Sequence, residues 1–208
     1  LWNHRFIRKI EIVWKEDIGL EGRGGYFDQY GIVRDVMQNH LMQIFALVAM
    51  EPPNRLDPAE IAAEKVKVLS SVPALARDDL VVGQFGRSEQ DSPGLPGYTD
   101  DPTVPDNSLT PTYAAARLSI DNARWNGVPF LITAGKGLDD RLTEIRIRFR
   151  EVPANVFCND EGCPLPNQLV IRVQPDERIY LSLTNKVPGM DLKLEVRNLD
   201  LQYQAAFS

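Results

Sequence analysis

Residues 144–150 read Glu-Ile-Arg-Ile-Arg-Phe-Arg, and this alternation of apolar and charged side chains decides the fold. Successive side chains of a β-strand point to opposite faces of a sheet, so Ile145, Ile147 and Phe149 are expected on one face and the arginines on the other. The pattern predicts a half-buried strand from Thr143 to Val152, with one face against a core and the other face polar.

Further segments on both sides of this strand have the same extended character. They are Glu11–Trp14 with Ile10 before it, Leu80–Phe85, Tyr113–Ile120, Val128–Thr133, Gln168–Gln174, Arg178–Asn185 and Leu192–Tyr203. Short links that contain Gly, Asn or Pro join these strands, which favours antiparallel neighbours. The longer connection at 87–112 contains five prolines. Loops of that length are uncommon unless they are functional or packed, so this one is expected to be ordered by contacts.

Two helices are expected in the first third of the chain. Apolar residues recur at three- and four-residue spacing from about Ile32 to Met50, and Pro52 and Pro53 end this amphipathic pattern. A second helix is predicted from Pro58 to about Ser71, with Asp57 as its N-cap. Helices first and strands later indicate an α+β fold, in which one large, mostly antiparallel sheet carries helices packed on one face.

Composition excludes several classes of protein. The chain has 208 residues, of which 43% are hydrophobic and 25% charged, as in ordinary globular domains. Its formal net charge of −6 argues against nucleic-acid binding, and no apolar run approaches the roughly 20 residues of a membrane span. Cys158 and Cys163 are too few for a disulfide framework and are expected to be free thiols in a reducing compartment. No metal site is expected from them.

His40 is one of two histidines in the sequence. It follows Val33, Val36 and Met37 by seven, four and three residues, which places it along the apolar stripe of the first helix. One interpretation is a core histidine bonded to a backbone carbonyl. The other is a general base that lines a cleft, since imidazole titrates near neutral pH. The spacing alone leaves both open.

Polar residues around the turn before this helix also allow two interpretations. Asp35 lies about 140° from His40 on an ideal α-helix, so the two do not share a face by simple geometry. Glu16, at the end of the first strand, is either a functional acid or a plain exposed one. The turn Gly22–Gly25 either holds a phosphate or needs glycine for its backbone geometry.

Several cations are candidates for an anion site. Lys136 and Arg141 share one turn after a strand, where two positive charges suit a phosphate or a carboxylate. Arg146 and Arg172, with Tyr180, form either another anion site or the polar face of a sheet. Solvated charges are the alternative in each case, so residue types alone favour an anionic small molecule without naming it.

Long motifs give the sequence a family resemblance. They are Glu21–His40, Asp101–Pro105, Arg124–Phe130, Gly135-Lys136 with Arg141, and Leu169–Pro175. Over nearly its whole length the chain resembles the glucose-6-phosphate dehydrogenases, most of all the plastid type of plants and algae. The resemblance implies oxidation of glucose 6-phosphate at C1 to 6-phosphogluconolactone, with hydride transfer to NADP, in the pentose phosphate pathway.

The resemblance also implies a role for individual positions. His40 matches the base that takes the C1 hydroxyl proton. The positions that match substrate-binding residues are Glu16, Asp35, Lys136, Arg141 and Gln174. Those that match a second, structural NADP site are Arg146, Arg172, Tyr180 and Asp200. At that second site Thr133, Leu142 and Ser182 stand where family members carry cations, so a structural NADP is not expected to bind.

Residues 1–208 are expected to be a C-terminal domain cut at both ends, without the Rossmann domain of the family. The implied partners are glucose 6-phosphate, NADP and a second copy of the chain, as a homodimer or homotetramer. The implied compartment is the cytoplasm, with the plastid stroma as the alternative. A non-catalytic domain that binds a sugar phosphate or only associates subunits is the other interpretation.

The first prediction concerns the dinucleotide-binding glycine motif. Residues 1–208 contain no dinucleotide-binding G-x-G-x-x-G fingerprint. The purified 208-residue chain should therefore reduce no NADP when mixed with glucose 6-phosphate, as followed by absorbance at the reduced nicotinamide band. Turnover that persists through repeated purification would contradict this placement of the cofactor site.

Overall fold

One eight-stranded sheet organises the protein. The computed structural model describes residues 1–88, 95–152, 156–158 and 163–202. The strands are β1 (Ile7–Lys15), β2 (Leu80–Gly83), β3 (Tyr113–Leu118), β4 (Phe130–Gly135), β5 (Leu142–Phe149), β6 (Gln168–Gln174), β7 (Arg178–Lys186) and β8 (Leu194–Gln202). Their order is β2-β3-β4-β1-β5-β6-β7-β8. β1 pairs with β4 in parallel, and the other pairs among the described strands are antiparallel. The predicted α+β fold is confirmed.

The alternation along β5 has the predicted consequence. Ile145 and Ile147 are buried on the core face, where they lie opposite Ile12 and Ile10 of β1. Branched apolar side chains on adjacent strands stabilise such a sheet through their mutual packing. Above them, Phe45 from the helix layer packs edge-on against a phenyl ring of β4. The core therefore lies between one face of the sheet and the helices.

The first helical region is more complex than a single helix. It consists of α1 (Gly24–Ile32), a π-helix (Val33–Leu41) and α2 (Met42–Ala49). Gly31 has φ 64°, a left-handed conformation that interrupts the α-helical backbone before the π-helix. A continuous helix over 32–50 was the expectation, and the π-helical part is a departure from it. Apolar spacing does not distinguish the two, because both helix types keep a buried stripe.

The second helix agrees with its prediction. It forms α3 (Pro58–Ser70), and the Asp57 carboxylate accepts hydrogen bonds from the backbone N–H groups of Ala59 and Glu60 at 3.1 and 3.0 Å. These bonds satisfy donors that have no partner within the first helical turn. No helix in the described ranges is long and apolar enough to cross a membrane.

The glycine turn serves close packing. A Cβ on Gly24 would lie 2.7 Å from both the Thr103 hydroxyl oxygen and a Val104 methyl group. The Thr103 hydroxyl accepts a hydrogen bond from the Gly25 N–H at 2.8 Å. Because Thr103 covers the start of α1, the structure favours the geometric interpretation of this turn over a phosphate-binding loop.

Asp28 fastens the proline-containing loop to α1. Its carboxylate accepts hydrogen bonds from the Tyr98 hydroxyl at 2.9 Å and from the Ser108 hydroxyl, and its carbonyl accepts one from Thr110. The described part of the loop is thus ordered by contacts, as expected, while residues 89–94 lie outside the described ranges. The Ser108 and Tyr98 hydrogen bonds hold the pKa of Asp28 below its usual value, because they stabilise the charged form.

The cysteine expectation is wrong. Cys158 and Cys163 form a disulfide, with their Cα atoms 4.2 Å apart. The prediction was based on the number of cysteines alone. Two cysteines are too few for a disulfide framework, but they are enough for one disulfide that closes a local loop. The inference of a reducing compartment loses its support with it. The intervening residues 159–162 lie outside the described ranges.

The second prediction concerns Asp28→Asn. The neutral amide keeps an acceptor but loses the charge, so the free energy of unfolding in urea at pH 7 should fall by about 1 kcal/mol. A carboxylate with a lowered folded pKa contributes stability above its unfolded pKa and loses it as the pH falls through the folded value. The difference between Asp28→Asn and wild type should therefore shrink below about pH 4.

Asp106→Asn is the matched control for this prediction. Asp106 is exposed in the same loop, and no hydrogen bond or ion pair engages its carboxylate within the described residues. Its replacement should leave stability unchanged at both pH values. Equal stabilities of Asp28→Asn and Asp106→Asn at pH 7 would show that Asp28 does not fasten the loop.

Candidate functional site

The parallel pair β1 and β4 creates the centre of the candidate site. Parallel strands end at the same edge of a sheet, so Glu16 after β1 and Lys136 after β4 emerge together. The backbone fixes both, since the Glu16 N–H donates to the Gly135 carbonyl at 2.9 Å. The Lys136 ammonium group forms an ion pair with the Glu16 carboxylate, and their side chains are only 15% and 21% exposed.

Two further predicted residues lie at the same end of the sheet. β5 runs antiparallel to β1, so it begins where β1 ends, directly after Arg141. β6 runs antiparallel to β5, and Gln174 at its end lies opposite Thr143. The strand order β4-β1-β5-β6 therefore brings Lys136, Glu16, Arg141 and Gln174 to one edge.

His40 is exposed and is not a core histidine. Its ring stacks on the indole of Trp14, near the end of β1, with centroids 5.5 Å apart and planes inclined by 14°. Of the two interpretations that the sequence left open, the buried one is wrong. The stack places the imidazole above the strand that leads to Glu16, and so beside the sheet edge.

The π-helix resolves the spacing of Asp35 and His40. Its hydrogen bonds join residues five apart, so a residue and its fifth successor lie on adjacent turns. The 140° separation of an ideal α-helix does not apply here. Asp35 is half-buried, and no hydrogen bond or ion pair engages its carboxylate in the described part of the chain. A histidine and a free carboxylate thus lie close along one helix.

Lys136 also ties the site to α1. Its ammonium group lies 5.6 Å from the centroid of the Phe27 ring, within the range of a cation–π contact. Phe27 is buried. The cation is therefore held between an aromatic face and the Glu16 carboxylate, which fixes its position for donation to an oxygen-rich ligand.

The polar face of the sheet uses its arginines internally. Glu144 is fully buried, and its carboxylate accepts hydrogen bonds from Arg146 and, at 2.8 Å, from Arg172. A buried carboxylate needs such partners, because an unpaired charge is costly to desolvate. Two of the four residues that match a structural NADP site are therefore engaged by a group of the same chain.

The other two residues of that set, Tyr180 and Asp200, also have a partner within the chain. The guanidinium carbon of Arg178 lies 5.0 Å from the centroid of the Tyr180 ring, and an Arg178 nitrogen lies 3.6 Å from an Asp200 carboxylate oxygen. Tyr180 and Asp200 face each other across β7 and β8. The structure thus brings the four residues onto neighbouring strands but gives each a partner within the chain.

Sequence reasoning missed two residues that shape the site. Trp14 gives the imidazole its stacking surface, and Phe27 gives Lys136 its aromatic contact. Trp14 lies two residues before Glu16, and Phe27 lies inside the glycine-rich motif, so both were near recognised positions. Their roles depend on which helix packs on which strand, a feature with no local sequence signal.

The fold is an α+β domain, and a cluster of polar groups lies at one edge of its sheet. The family model described as "Glucose-6-phosphate dehydrogenase, C-terminal domain" matches residues 1–208. The chain therefore belongs to this family.

Similar proteins agree with this assignment. The chain is 54% identical to glucose-6-phosphate 1-dehydrogenase 1, chloroplastic, of Arabidopsis thaliana, and covers 36% of that protein with 100% of its own length. It is 50% identical to glucose-6-phosphate 1-dehydrogenase 6, cytoplasmic, of the same plant, covering 37% of that protein with 98% of its own length. The chain thus spans little more than a third of the curated relatives that it matches.

Solved structures that are similar to this chain also come from glucose-6-phosphate dehydrogenases. A glucose-6-phosphate dehydrogenase in complex with its substrate glucose 6-phosphate matches with a TM-score of 0.90 at 45% identity, over 99% of this chain and 41% of that one. Glucose-6-phosphate 1-dehydrogenase from Mycobacterium avium matches with a TM-score of 0.86 at 39% identity, over 97% of this chain and 41% of that one.

The third prediction concerns NADP on the polar face. Charge-assisted contacts to phosphate contribute roughly 1.5–3 kcal/mol each in gross terms, less when solvent screens them. With three family cations replaced and the remaining arginines engaged by Glu144, NADP should raise the melting temperature of the 208-residue chain by less than about 1 °C at micromolar concentration. Thermal shift measures this directly.

A gain-of-charge variant provides the positive control for this experiment. Thr133→Lys combined with Ser182→Lys returns two cations to positions where family members carry them, and it should increase the response to NADP relative to its own ligand-free melting temperature. A rise of several degrees for the wild-type chain would show instead that Arg146, Arg172, Tyr180 and Asp200 suffice.

Proposed function

We propose that this chain is the substrate-binding and subunit-association part of an NADP-dependent glucose-6-phosphate dehydrogenase. The observation that carries the proposal is the placement of the Lys136–Glu16 ion pair directly after β1 and β4, with His40 stacked on Trp14 near the same end of β1. Family membership supports it, and so does the likeness to a structure that holds glucose 6-phosphate. Residues 1–208 are proposed to be a C-terminal domain whose dinucleotide-binding partner domain lies elsewhere in the longer protein.

His40 is the proposed general base. One imidazole nitrogen accepts the proton of the C1 hydroxyl while C1 loses a hydride, so the C–H and O–H bonds break and the C=O bond of the lactone forms. NADP, when bound, supplies the hydride acceptor. An exposed imidazole within the described structure suits this role, because it is open to a ligand that approaches the sheet edge.

The surrounding polar residues are proposed to hold the sugar. Glu16 and Asp35 carry carboxylates that accept hydrogen bonds from hydroxyl groups, and a sugar offers several hydroxyls with fixed geometry. Lys136 donates to ligand oxygens from its fixed position between Glu16 and Phe27. Because the Glu16 carboxylate has a second oxygen, it can keep the ion pair and still accept from a hydroxyl.

Arg141 and Gln174 complete the proposed substrate side. Arg141 is exposed, and its guanidinium group has no ion pair within the residues described. A free guanidinium at the edge of a site favours an anionic ligand such as a sugar phosphate. Gln174 is half-buried at the end of β6, where its amide can both donate and accept.

The proposal extends to compartment and assembly. Among the relatives, a chloroplastic protein is 54% identical and a cytoplasmic one 50%, so the plastid stroma is better supported than the cytoplasm. Association of two or four copies is part of the proposal, and the family assignment supports it.

The fourth prediction tests His40 in the longer protein that carries this chain. His40→Asn keeps a polar side chain but removes the base, so kcat should fall by about 10²–10⁴-fold or more, with KM for glucose 6-phosphate changed much less. His4→Asn is the matched control, since the His4 ring only contacts the Ala123 carbonyl at 2.9 Å.

A His40→Asn enzyme with near-normal kcat would remove His40 from the mechanism. The wild-type longer protein could instead show no dehydrogenase activity while glucose 6-phosphate still binds in calorimetry. The chain would then belong to a non-catalytic sugar-phosphate-binding protein. Either result would overturn the proposed function.

A further inference from the structure

The imidazole of His40 has one contact that fixes its plane. Within the described residues, no hydrogen bond or ion pair engages either ring nitrogen, and the ring is exposed. The stack on Trp14, with a centroid distance of 5.5 Å and an interplanar angle of 14°, lies in the range of favourable offset stacking. An exposed side chain without such a contact samples several rotamers, so the stack selects one orientation.

Trp14 is itself held firmly. In the sheet, Trp14 pairs with Ala134 of β4 on one side and with Thr143 of β5 on the other. A residue in a central strand has little backbone freedom, because both neighbours hold it through the hydrogen-bond ladder. The indole therefore gives the π-helix a rigid surface, although that helix type is itself uncommon and irregular.

Trp14 Nε1 is buried and has no partner among the described residues. A buried donor without a partner is unfavourable, so the N–H group is not what makes Trp14 useful. What remains is the flat aromatic face, which phenylalanine also provides.

We propose that Trp14 is a positioning residue for His40: its indole plane holds the imidazole in the orientation that proton abstraction requires. The inference rests on the proposed role of His40 as the base. Small errors in the placement of a catalytic group reduce rates strongly, even when the group itself is intact. Trp14 acts through His40 and needs no contact with substrate.

The first test observes the stack without any catalysis. The sequence has two histidines, so imidazole C–H correlation spectra of the labelled 208-residue chain contain two sets of signals, which His4→Gln assigns. Spectra are recorded at about pH 8.5, above the ordinary pKa of histidine. Trp14→Leu should move the His40 signals downfield, because the ring current of the indole is lost, and should leave the His4 signals in place.

Two variants control for general damage. Trp14→Phe keeps an aromatic face and should hold the His40 signals closer to their wild-type positions than Trp14→Leu does. Trp2→Leu removes another half-buried indole, one that donates to the Val48 carbonyl at 2.8 Å, and it should leave the His40 signals unchanged. In the two Trp14 variants, unchanged His4 signals report that the chain is folded, because His4 lies far from Trp14 in the sequence and its ring contacts the Ala123 carbonyl.

The second test is kinetic and uses the longer protein. Trp14→Leu should lower kcat by about 10- to 100-fold with a smaller change in KM, and Trp14→Phe should recover most of the loss. Trp2→Leu should keep the wild-type rate. The His40→Asn variant, assayed in parallel, reports separately on whether His40 is the base.

Two results would overturn the inference. If the His40 signals are the same in Trp14→Leu as in wild type, the indole does not orient the imidazole in solution. If the signals move but kcat stays at the wild-type value while His40→Asn is inactive, the base works without the stack. An active His40→Asn enzyme would overturn the proposed function instead. The positioning role of Trp14 would then be overturned too, because it depends on His40 being the base.

Discussion

The parallel pairing of β1 with β4 is the constraint on which the rest of the site depends. It is the one departure from antiparallel order among the described strands, and it places the carboxyl ends of two strands that are distant in sequence at one edge. The Lys136–Glu16 ion pair, 120 residues apart, exists because of it. An antiparallel β1–β4 pair would send these two side chains to opposite ends of the sheet.

The helical layer adds the second half of the site. β1 is central and buried, so its apolar face requires a cover, and the segment from α1 to α2 provides it. The π-helix within that cover sets Asp35 and His40 on adjacent turns, and Trp14 on the same face of β1 receives the histidine ring. Sheet and helix thus contribute complementary groups: an ion pair from the sheet edge, and a base with a carboxylate from the helix.

Much of the architecture was predictable from local patterns. The alternation around Ile145 predicted strand β5, and the N-cap at Asp57 predicted helix α3, because both patterns depend only on residues that are close in the sequence. Residue types and spacing singled out Glu16, Lys136 and Arg141, the family motifs added Gln174, and the structure brings these four to one edge. The π-helix was not predictable, since its buried stripe has nearly the spacing of an α-helix. The disulfide was missed because a count of cysteines does not measure a distance.

The amino-acid sequence was sufficient to predict the alternating strands, the capped helix and the family of the protein. These features are encoded within short windows, where side-chain period and backbone preference act directly. Three features became visible only in the folded chain: β1 lies parallel to β4, His40 stacks on Trp14, and Glu144 engages Arg146 and Arg172 instead of leaving them for a ligand. Each of these features is a contact between segments distant in sequence. Such contacts depend on strand order and on the energy of burying charge and aromatic surface together, which no short window of residues contains.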